Sequence, residues 1–304
     1  MGKAWTTLGL LQTTTTFLEE RGHDEARLAA ERLLAHVLRC KRVDLYLQTE
    51  RPMQETELSP YRELVRSFAK GAPLQYIIGE TEFMGLPFQV DRRALIPRPE
   101  TEILVDAVRK HLAPAAGAPA TVLELGVGSG AIAVSLAVTH PDVEVWATEV
   151  SGDAAQLAQR NAHSHDVQDR VHIVVGSRFD ALSPELEGAF SVVVSNPPYV
   201  RSDEMAGLDA CVRDYEPFQA LDGGDDGLDF HRYLTTSGLR FLSPGGLLAT
   251  EIGASQGEAA RRLFVDAGMQ EVEVQPDYAG LDRVVVGRKG SGNSSASGSG
   301  NGQG

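Results

Sequence analysis

The chain has 304 residues, of which 42% are hydrophobic and 23% are charged, and its formal net charge at pH 7 is −14. This composition is typical of a soluble globular protein with room for one large domain or two ordinary ones. The acidic charge argues against a nucleic-acid binder, because such proteins usually present a basic face and no cluster of Lys and Arg in the sequence would form one.

The N-terminus carries no apolar signal segment, and no apolar run in the sequence is long enough to span a membrane. The two cysteines, Cys40 and Cys211, are far apart and lack a Cys-x-x-Cys partner. They indicate free thiols in a reducing compartment rather than a disulfide or zinc framework. The cytoplasm is therefore the predicted location.

Residues 1–75 are predicted to form a helical domain. Apolar residues recur at three- and four-residue spacing between Ala26 and Leu38, which gives one buried stripe of a helix. Ser59 and Pro60 are predicted to begin another helix as its N-cap and first-turn residue. No residue here is arranged for chemistry, so two interpretations stay open: a structural bundle, or a docking domain for a large substrate.

Residues 76–99 are predicted to be a linker that contains a β-hairpin. Two strand-like segments, 80–83 and 87–90, flank Met84-Gly85-Leu86. A helix is predicted to open near Pro99, where Glu100 and Glu102 are favourable at the positive end of the helix dipole. The stretch from Pro114 to Pro119 is predicted to be a loop.

Residues 100–289 are predicted to be an α/β domain, because strand and helix patterns alternate from Thr121 onward. The last two strand patterns leave no room for a helix between them, so they are predicted to form an antiparallel pair on a mostly parallel sheet. That combination suits a nucleotide-cofactor domain. Residues 290–304 contain only Gly, Ser, Asn, Ala and Gln and are predicted to be disordered. The predicted strands are 122–125, 143–148, 171–175, 192–194, 247–252, 272–274 and 283–286.

A glycine loop follows the first of these strands and precedes a helix. It consists of Gly126, Val127, Gly128, Ser129 and Gly130. Glycines there let the backbone approach a ligand, and the helix N-terminus offers free N–H groups. The loop indicates a nucleotide-like cofactor but does not separate NAD from S-adenosylmethionine.

Two other strand ends are expected to complete the cofactor site. Glu149 ends the second strand, about twenty residues after the loop, where a carboxylate can accept hydrogen bonds from ribose hydroxyls. Arg178 and Phe179 follow the third strand and are candidates to cover an adenine, although Phe179 fits the core equally well.

The stretch Asn196-Pro197-Pro198-Tyr199 follows the fourth strand, and its two prolines must end that strand. Methyl transfer to a planar nitrogen needs both N–H bonds held so that the lone pair faces the methyl group. Asn196 can accept one N–H through Oδ1, the Pro197 carbonyl can accept the other, and Tyr199 can stack on the planar group. The stretch therefore favours S-adenosylmethionine and methyl transfer. No metal site is predicted, because the acidic loop at 222–227 lacks calcium-ligand spacing.

Taken together, these motifs resemble those of the release factor glutamine methyltransferases, the PrmC (HemK) family. The resemblance runs to about residue 289, and the stretch from Ile96 to Glu102 is its most specific part. The matching stretches are 73–80, 83–88, 95–102, the glycine loop, Asn196 to Tyr199, 220–224 and 282–285. The chain departs from the family in carrying Glu124 where Asp is common, and Ser177-Arg178 where some members have Asp-Trp.

The resemblance implies a five-helix N-terminal bundle, a β-hairpin linker and a seven-stranded Rossmann-like class I methyltransferase sheet. It implies N5 methylation of the glutamine in the Gly-Gly-Gln motif of class I peptide chain release factors. The protein is also expected to be a cytoplasmic monomer without nucleic-acid or membrane partners. The implied S-adenosylmethionine contacts are Gly126 to Gly130, Glu149, Arg178 and Asn196, and the implied glutamine contacts are Asn196, Pro197, Pro198 and Tyr199. The alternatives are an adenine-N6 nucleic-acid methyltransferase and, from another class, an NAD-binding oxidoreductase.

Overall fold

A computed structural model describes residues 5–112 and 119–291. The predicted loop at 114–119 and the predicted disordered tail at 290–304 therefore lie almost entirely outside the described residues. Within the described ranges, no helix is both long enough and apolar enough to cross a bilayer.

The N-terminal part is helical, as predicted. Its core is built from leucines and alanines of the predicted stripe, such as Leu33 and Leu34, and the buried Tyr61 hydroxyl donates to the Ala30 carbonyl at 3.2 Å. The five helices are α1 (Thr7–Glu19), α2 (Ala26–Leu38), α3 (Arg42–Leu47), α4 (Glu55–Ala69) and α5 (Leu74–Ile78).

The predicted start of α4 was wrong. The helix begins at Glu55, and Pro60 lies inside it rather than in its first turn. The Glu57 carboxylate accepts a hydrogen bond from the Gln54 backbone N–H at 2.9 Å, which caps the earlier start. Pro60 lies in the second turn, where it removes one backbone hydrogen bond without ending the helix.

The hairpin is confirmed, with strands β1 (Glu80–Phe83) and β2 (Leu86–Gln89) pairing antiparallel. Met84 and Gly85 form the two-residue turn with φ angles of 52° and 72°, the left-handed pair that a tight hairpin turn requires. The buried Phe83 and Phe88 join the core of the second domain.

The second domain has a seven-stranded sheet in the order β5-β4-β3-β6-β7-β9-β8. Strand β9 runs antiparallel to the other six strands, so β8 and β9 form the predicted antiparallel pair. Its strands are β3 (Ala120–Leu125), β4 (Val143–Glu149), β5 (Val171–Val175), β6 (Phe190–Ser195), β7 (Leu242–Glu251), β8 (Gln270–Pro276) and β9 (Asp282–Arg288). Its helices are α6 (Thr101–Leu112), α7 (Ala131–Thr139), α8 (Gly152–Ser164), α9 (Ala210–Arg213), α10 (Asp229–Thr236) and α11 (Gly257–Asp266).

The strand order creates a crevice beside β3. From β3 the chain moves outward to β4 and β5, then returns to place β6 on the other side of β3. Segments that leave β3 and β6 therefore diverge at the carboxyl edge of the sheet, which is where open α/β sheets bind ligands. The glycine loop leaves β3 and Asn196 follows β6, so the topology brings the two strongest predicted motifs to one crevice.

Candidate active site

The glycine loop adopts backbone angles that favour glycine. Gly126, Gly128 and Gly130 have φ angles of 77°, 54° and 84°. A Cβ on Gly130 would lie 3.2 Å from the Cα and Cβ atoms of Ala158, so a glycine also permits the close approach of α8. The loop therefore curves tightly between β3 and α7.

Glu149 lies beside this loop, as predicted. Its Oε2 accepts a hydrogen bond from the Gly128 N–H at 3.0 Å, and its Oε1 accepts one from the Ser151 N–H at 3.0 Å. Each carboxylate oxygen keeps a further lone pair for a ligand. The carboxylate thus links the loop after β3 to the end of β4 and still faces the crevice.

Asn161, which sequence reasoning missed, ties the hairpin to the glycine loop. Its buried Nδ2 donates to the Ser129 carbonyl at 2.8 Å and to the Gln89 carbonyl at 3.0 Å, while its Oδ1 accepts from the Gln89 N–H at 2.8 Å. One α8 side chain therefore joins β2 and the glycine loop.

Asn196 projects from the end of β6 into the crevice. Its Nδ2 donates to the Thr101 hydroxyl at 3.1 Å, and no described residue donates a hydrogen bond to its Oδ1. The Pro197 carbonyl oxygen likewise accepts no hydrogen bond from the described part of the chain. Two free acceptors on consecutive residues therefore lie at the crevice.

Glu251, at the end of β7, is a buried carboxylate that sequence reasoning also missed. Its Oε2 accepts a hydrogen bond from the Thr101 hydroxyl at 2.6 Å, and its Oε1 accepts one from the Tyr199 hydroxyl at 3.3 Å. Burial raises the pKa of Glu251 to about 7, against the opposing effect of Arg283 and these two donors. Tyr199 thus directs its hydroxyl to Glu251, and its predicted stacking on a substrate stays a prediction.

The backbone of Tyr199 is held between Gln256 and the glycine-rich loop at 222–227. Gln256 Nε2 donates to the Tyr199 carbonyl at 2.9 Å and to the Gly227 carbonyl at 3.3 Å. A Cβ on Gly227 would lie only 2.3 Å from the Tyr199 carbonyl oxygen. The acidic loop at 222–227 therefore packs directly behind the Asn-Pro-Pro-Tyr segment.

Replacing Gly227 with alanine is expected to lower the free energy of unfolding by about 3 kcal/mol, because a positive φ angle (74°) and a backbone clash act together. The matched control is Gly280→Ala, where φ is 80° but a Cβ meets nothing within 4 Å. That variant should lose only about 1 kcal/mol, from backbone strain. Urea denaturation measures both, and equal losses would show that the contact with Tyr199 does not matter.

The crevice consists of two adjoining cavities of about 480 and 330 Å³. Both volumes lie within the range of roughly 300–1,000 Å³ that is usual for small-molecule and cofactor sites. The residues that line both cavities are Gly126, Val150, Asn196, Pro198, Phe218, Gln219 and Phe230. The predicted Gly126, Val127, Gly128, Ser129 and Glu149 line the larger cavity, and the predicted Pro197 and Arg178 line the smaller one. Gly130 and Tyr199 line neither.

The larger cavity fits a cationic ligand such as S-adenosylmethionine. Glu124 lines it with a buried Oε2 that has no hydrogen-bond partner among the described residues, and burial raises the pKa of this carboxyl. Glu149 adds a second carboxyl group on the same wall. An orphaned buried carboxyl is satisfied by a ligand that brings a positive charge or a donor.

The smaller cavity has an aromatic rim. Phe218 is 61% exposed there, and no sequence signal indicated it. The Arg178 guanidinium lies over the rings of Phe230 and Tyr233 at 5.0 and 4.6 Å, whereas Phe179 is fully buried in the core. Of the two residues predicted as candidates to cover an adenine, Arg178 therefore lies at the surface of the cavity and Phe179 does not.

Comparison with known proteins agrees with this geometry. Residues 9–79 match the family model described as the PrmC N-terminal domain, and residues 99–210 match the one described as the methyltransferase small domain. The release factor glutamine methyltransferase of Geobacter sulfurreducens is 43% identical over 286 residues, which cover 94% of this chain and 98% of that protein. The protein of the same name from Chlorobaculum tepidum is 40% identical, with coverages of 92% and 96%.

Among solved structures, the hMettl16 catalytic domain in complex with the MAT2A 3'UTR hairpin 6 is 14% identical with a TM-score of 0.53. The match covers 74% of this chain and 81% of the hMettl16 chain, and this likeness shows the fold alone. The predicted fold class and family are thus confirmed. Since relatives at 40% identity or more match along nearly their whole length, this chain belongs to the release factor glutamine methyltransferase family.

Proposed function

We propose that this protein transfers a methyl group from S-adenosylmethionine to the side-chain amide nitrogen, N5, of the glutamine in the Gly-Gly-Gln motif of class I peptide chain release factors. The observation that carries the proposal is the pair of free acceptors, Asn196 Oδ1 and the Pro197 carbonyl, beside a cavity suited to a cationic cofactor. The curated relatives are named release factor glutamine methyltransferases, which supports a release factor glutamine as the group that receives the methyl.

The two acceptors suit a primary amide. Its nitrogen is a poor nucleophile because its lone pair is delocalised into the carbonyl group. Asn196 Oδ1 accepts one N–H and the Pro197 carbonyl accepts the other, which turns the lone pair toward the cofactor and favours charge on the nitrogen during transfer. As the nitrogen–carbon bond forms, the carbon–sulfur bond of the sulfonium donor would break and leave a neutral thioether, and the nitrogen would release one of its two protons to water.

The cofactor is held by residues of the larger cavity. When bound, S-adenosylmethionine supplies a methyl group activated on a sulfonium centre. The glycine loop, 126–130, provides backbone N–H groups and close approach, and Glu149 accepts hydrogen bonds from hydroxyl groups. Glu124 offers its unpartnered carboxyl to a cationic group, and Arg178 lines the neighbouring cavity.

The helical domain, residues 1–75, is proposed to dock the release factor. It exposes apolar side chains that its own core leaves uncovered, among them Val43 at 59% and Leu47 at 78% exposure. The protein is further proposed to act as a cytoplasmic monomer without a nucleic-acid or membrane partner. Its net charge of −14 supports the absence of a nucleic-acid partner.

Incubation of the protein with S-adenosylmethionine and a release factor is expected to add one methyl group to the Gly-Gly-Gln peptide, detected by mass spectrometry. A release factor whose glutamine is replaced by alanine should gain none. An unmodified release factor together with methylated adenine in added DNA or RNA would overturn the proposal in favour of a nucleic-acid methyltransferase. Binding of NAD rather than S-adenosylmethionine in a thermal-shift titration would favour an oxidoreductase.

A further inference from the structure

We infer that Glu251 is a positioning residue for methyl transfer, because it fixes through Thr101 which end of the Asn196 amide faces the substrate. The inference rests on the proposed function and adds to it a carboxylate that touches neither of the described cavities. It is carried by a chain of hydrogen bonds that joins α6, β6 and β7.

The direction of that chain follows from the donors and acceptors. An ionised carboxylate can only accept, so the Thr101 hydroxyl must donate its single proton to Glu251, at 2.6 Å. Thr101 Oγ1 then has only lone pairs left, and its contact with Asn196 must be made by the Nδ2 amide group, at 3.1 Å. The Asn196 carbonyl is consequently turned the other way, toward the substrate amide.

Tyr199 supports the same arrangement from the other side. Its hydroxyl donates to the second oxygen of Glu251 at 3.3 Å, and burial beside that carboxylate raises the pKa of Tyr199, so the phenol keeps its proton. Each carboxylate oxygen of Glu251 thus accepts one hydrogen bond, Oε1 from Tyr199 and Oε2 from Thr101.

The surroundings of Glu251 include groups of both signs. Arg283 on β9 favours the ionised form, and it is itself paired with Asp277 at 3.1 Å. Glu100, just before α6, opposes ionisation. Arg98 of the linker lowers the pKa of the neighbouring Tyr199, against the larger effect of burial. From α10, His231 places Nε2 2.9 Å from the Glu251 backbone carbonyl, and burial lowers its pKa to about 4, which keeps it neutral.

A pH dependence follows from this geometry. Protonation would turn one oxygen of Glu251 into a donor, which lets Thr101 accept there and donate to Asn196 instead. The Asn196 amide would then turn its NH₂ group toward the substrate. Only the ionised form is productive, so kcat at saturating S-adenosylmethionine should fall as pH falls through about 7. The expected kcat at pH 6 is about tenfold below that at pH 8.

The principal test is Glu251→Gln, which keeps the size but places a permanent donor beside Thr101. The variant is expected to lose about 30-fold in kcat, to keep its Kd for S-adenosylmethionine within about twofold, and to lose the pH limb near 7. Thr101→Val should show a similar loss of kcat, whereas Thr101→Ser, which keeps the hydroxyl, should retain most of it. Unchanged kcat in Glu251→Gln, or a pH limb that persists, would overturn the inference.

Controls separate this role from folding and from the proposed function. Thr235→Val removes another buried hydroxyl, which bonds only within α10, and should leave kcat unchanged. An NMR cross-peak between the Asn196 NH₂ group and the Thr101 methyl group is expected in the wild type and should vanish in Glu251→Gln. This readout needs no turnover, so its absence in the wild type contradicts the inference even if methylation occurs. A wild type that shows it but does not methylate a release factor contradicts only the proposed function.

Discussion

Replacing Asn196 with alanine is expected to lower kcat by roughly 10²–10⁴-fold while the Kd for S-adenosylmethionine stays within about threefold. The variant removes Asn196 Oδ1, the side-chain acceptor proposed for the substrate N–H, so the amide lone pair would no longer be held toward the methyl group. The glycine loop and Glu149 are untouched, because Asn196 bonds only to Thr101 in the described part of the chain.

Single-turnover kinetics with a release factor measures the loss, and isothermal titration calorimetry measures the affinity for S-adenosylmethionine. Gln168→Ala is a matched control, since it removes an exposed side-chain amide from another surface, and it should behave as the wild type. Methyl transfer by Asn196→Ala within threefold of the wild-type rate would contradict the role assigned to this residue.

Replacing Glu149 with alanine is expected to weaken the binding of S-adenosylmethionine about 50-fold, which corresponds to about 2.3 kcal/mol. Two effects combine: the carboxylate no longer accepts hydrogen bonds from the ligand, and the Gly128 N–H loses the acceptor that shapes the glycine loop. At saturating cofactor, kcat should recover most of its value, since Glu149 makes no contact with Asn196.

Glu144→Ala provides the control on the same strand. Glu144 is also a β4 carboxylate, but it is exposed and lies 3.7 Å from His172 rather than beside the glycine loop. Calorimetry should give that variant the wild-type Kd. Equal affinities for all three proteins would remove Glu149 from the cofactor site.

The crevice was predictable because its first residues obey local rules. Glycines between a strand and a helix, a carboxylate that ends the next strand, and a proline-terminated strand each have a meaning that depends only on neighbours in the sequence. Parallel strands then bring their carboxyl ends to one edge. Gly128, Glu149 and Asn196 therefore line one cavity, as expected, and the family resemblance supplied the rest of the fold.

The residues that sequence reasoning missed depend on contacts between distant segments. Thr101 and Glu251 are 150 positions apart and meet only because α6 packs beside β7. Thr101 lies inside the family-specific stretch 96–102, and Glu251 ends a strand of the sheet. Each position carried a signal in the sequence, but neither signal indicates which residue it contacts. The predicted start of α4 was wrong because the cap made by Gln54 and Glu57 begins the helix earlier than the first-turn position assigned to Pro60.

The three hydrogen bonds of Asn161 have a consequence for accuracy of alignment. Reacting atoms must be brought within roughly 3–3.5 Å, and every flexible joint between the two reactants adds positional error. If a release factor docks on the helical domain as proposed, few such joints separate it from the glycine loop, because β2 follows that domain and Asn161 fastens β2 directly to the Ser129 carbonyl. The distance between a docked protein and the methyl donor would then be set by one short, buried connection rather than by the length of a free linker.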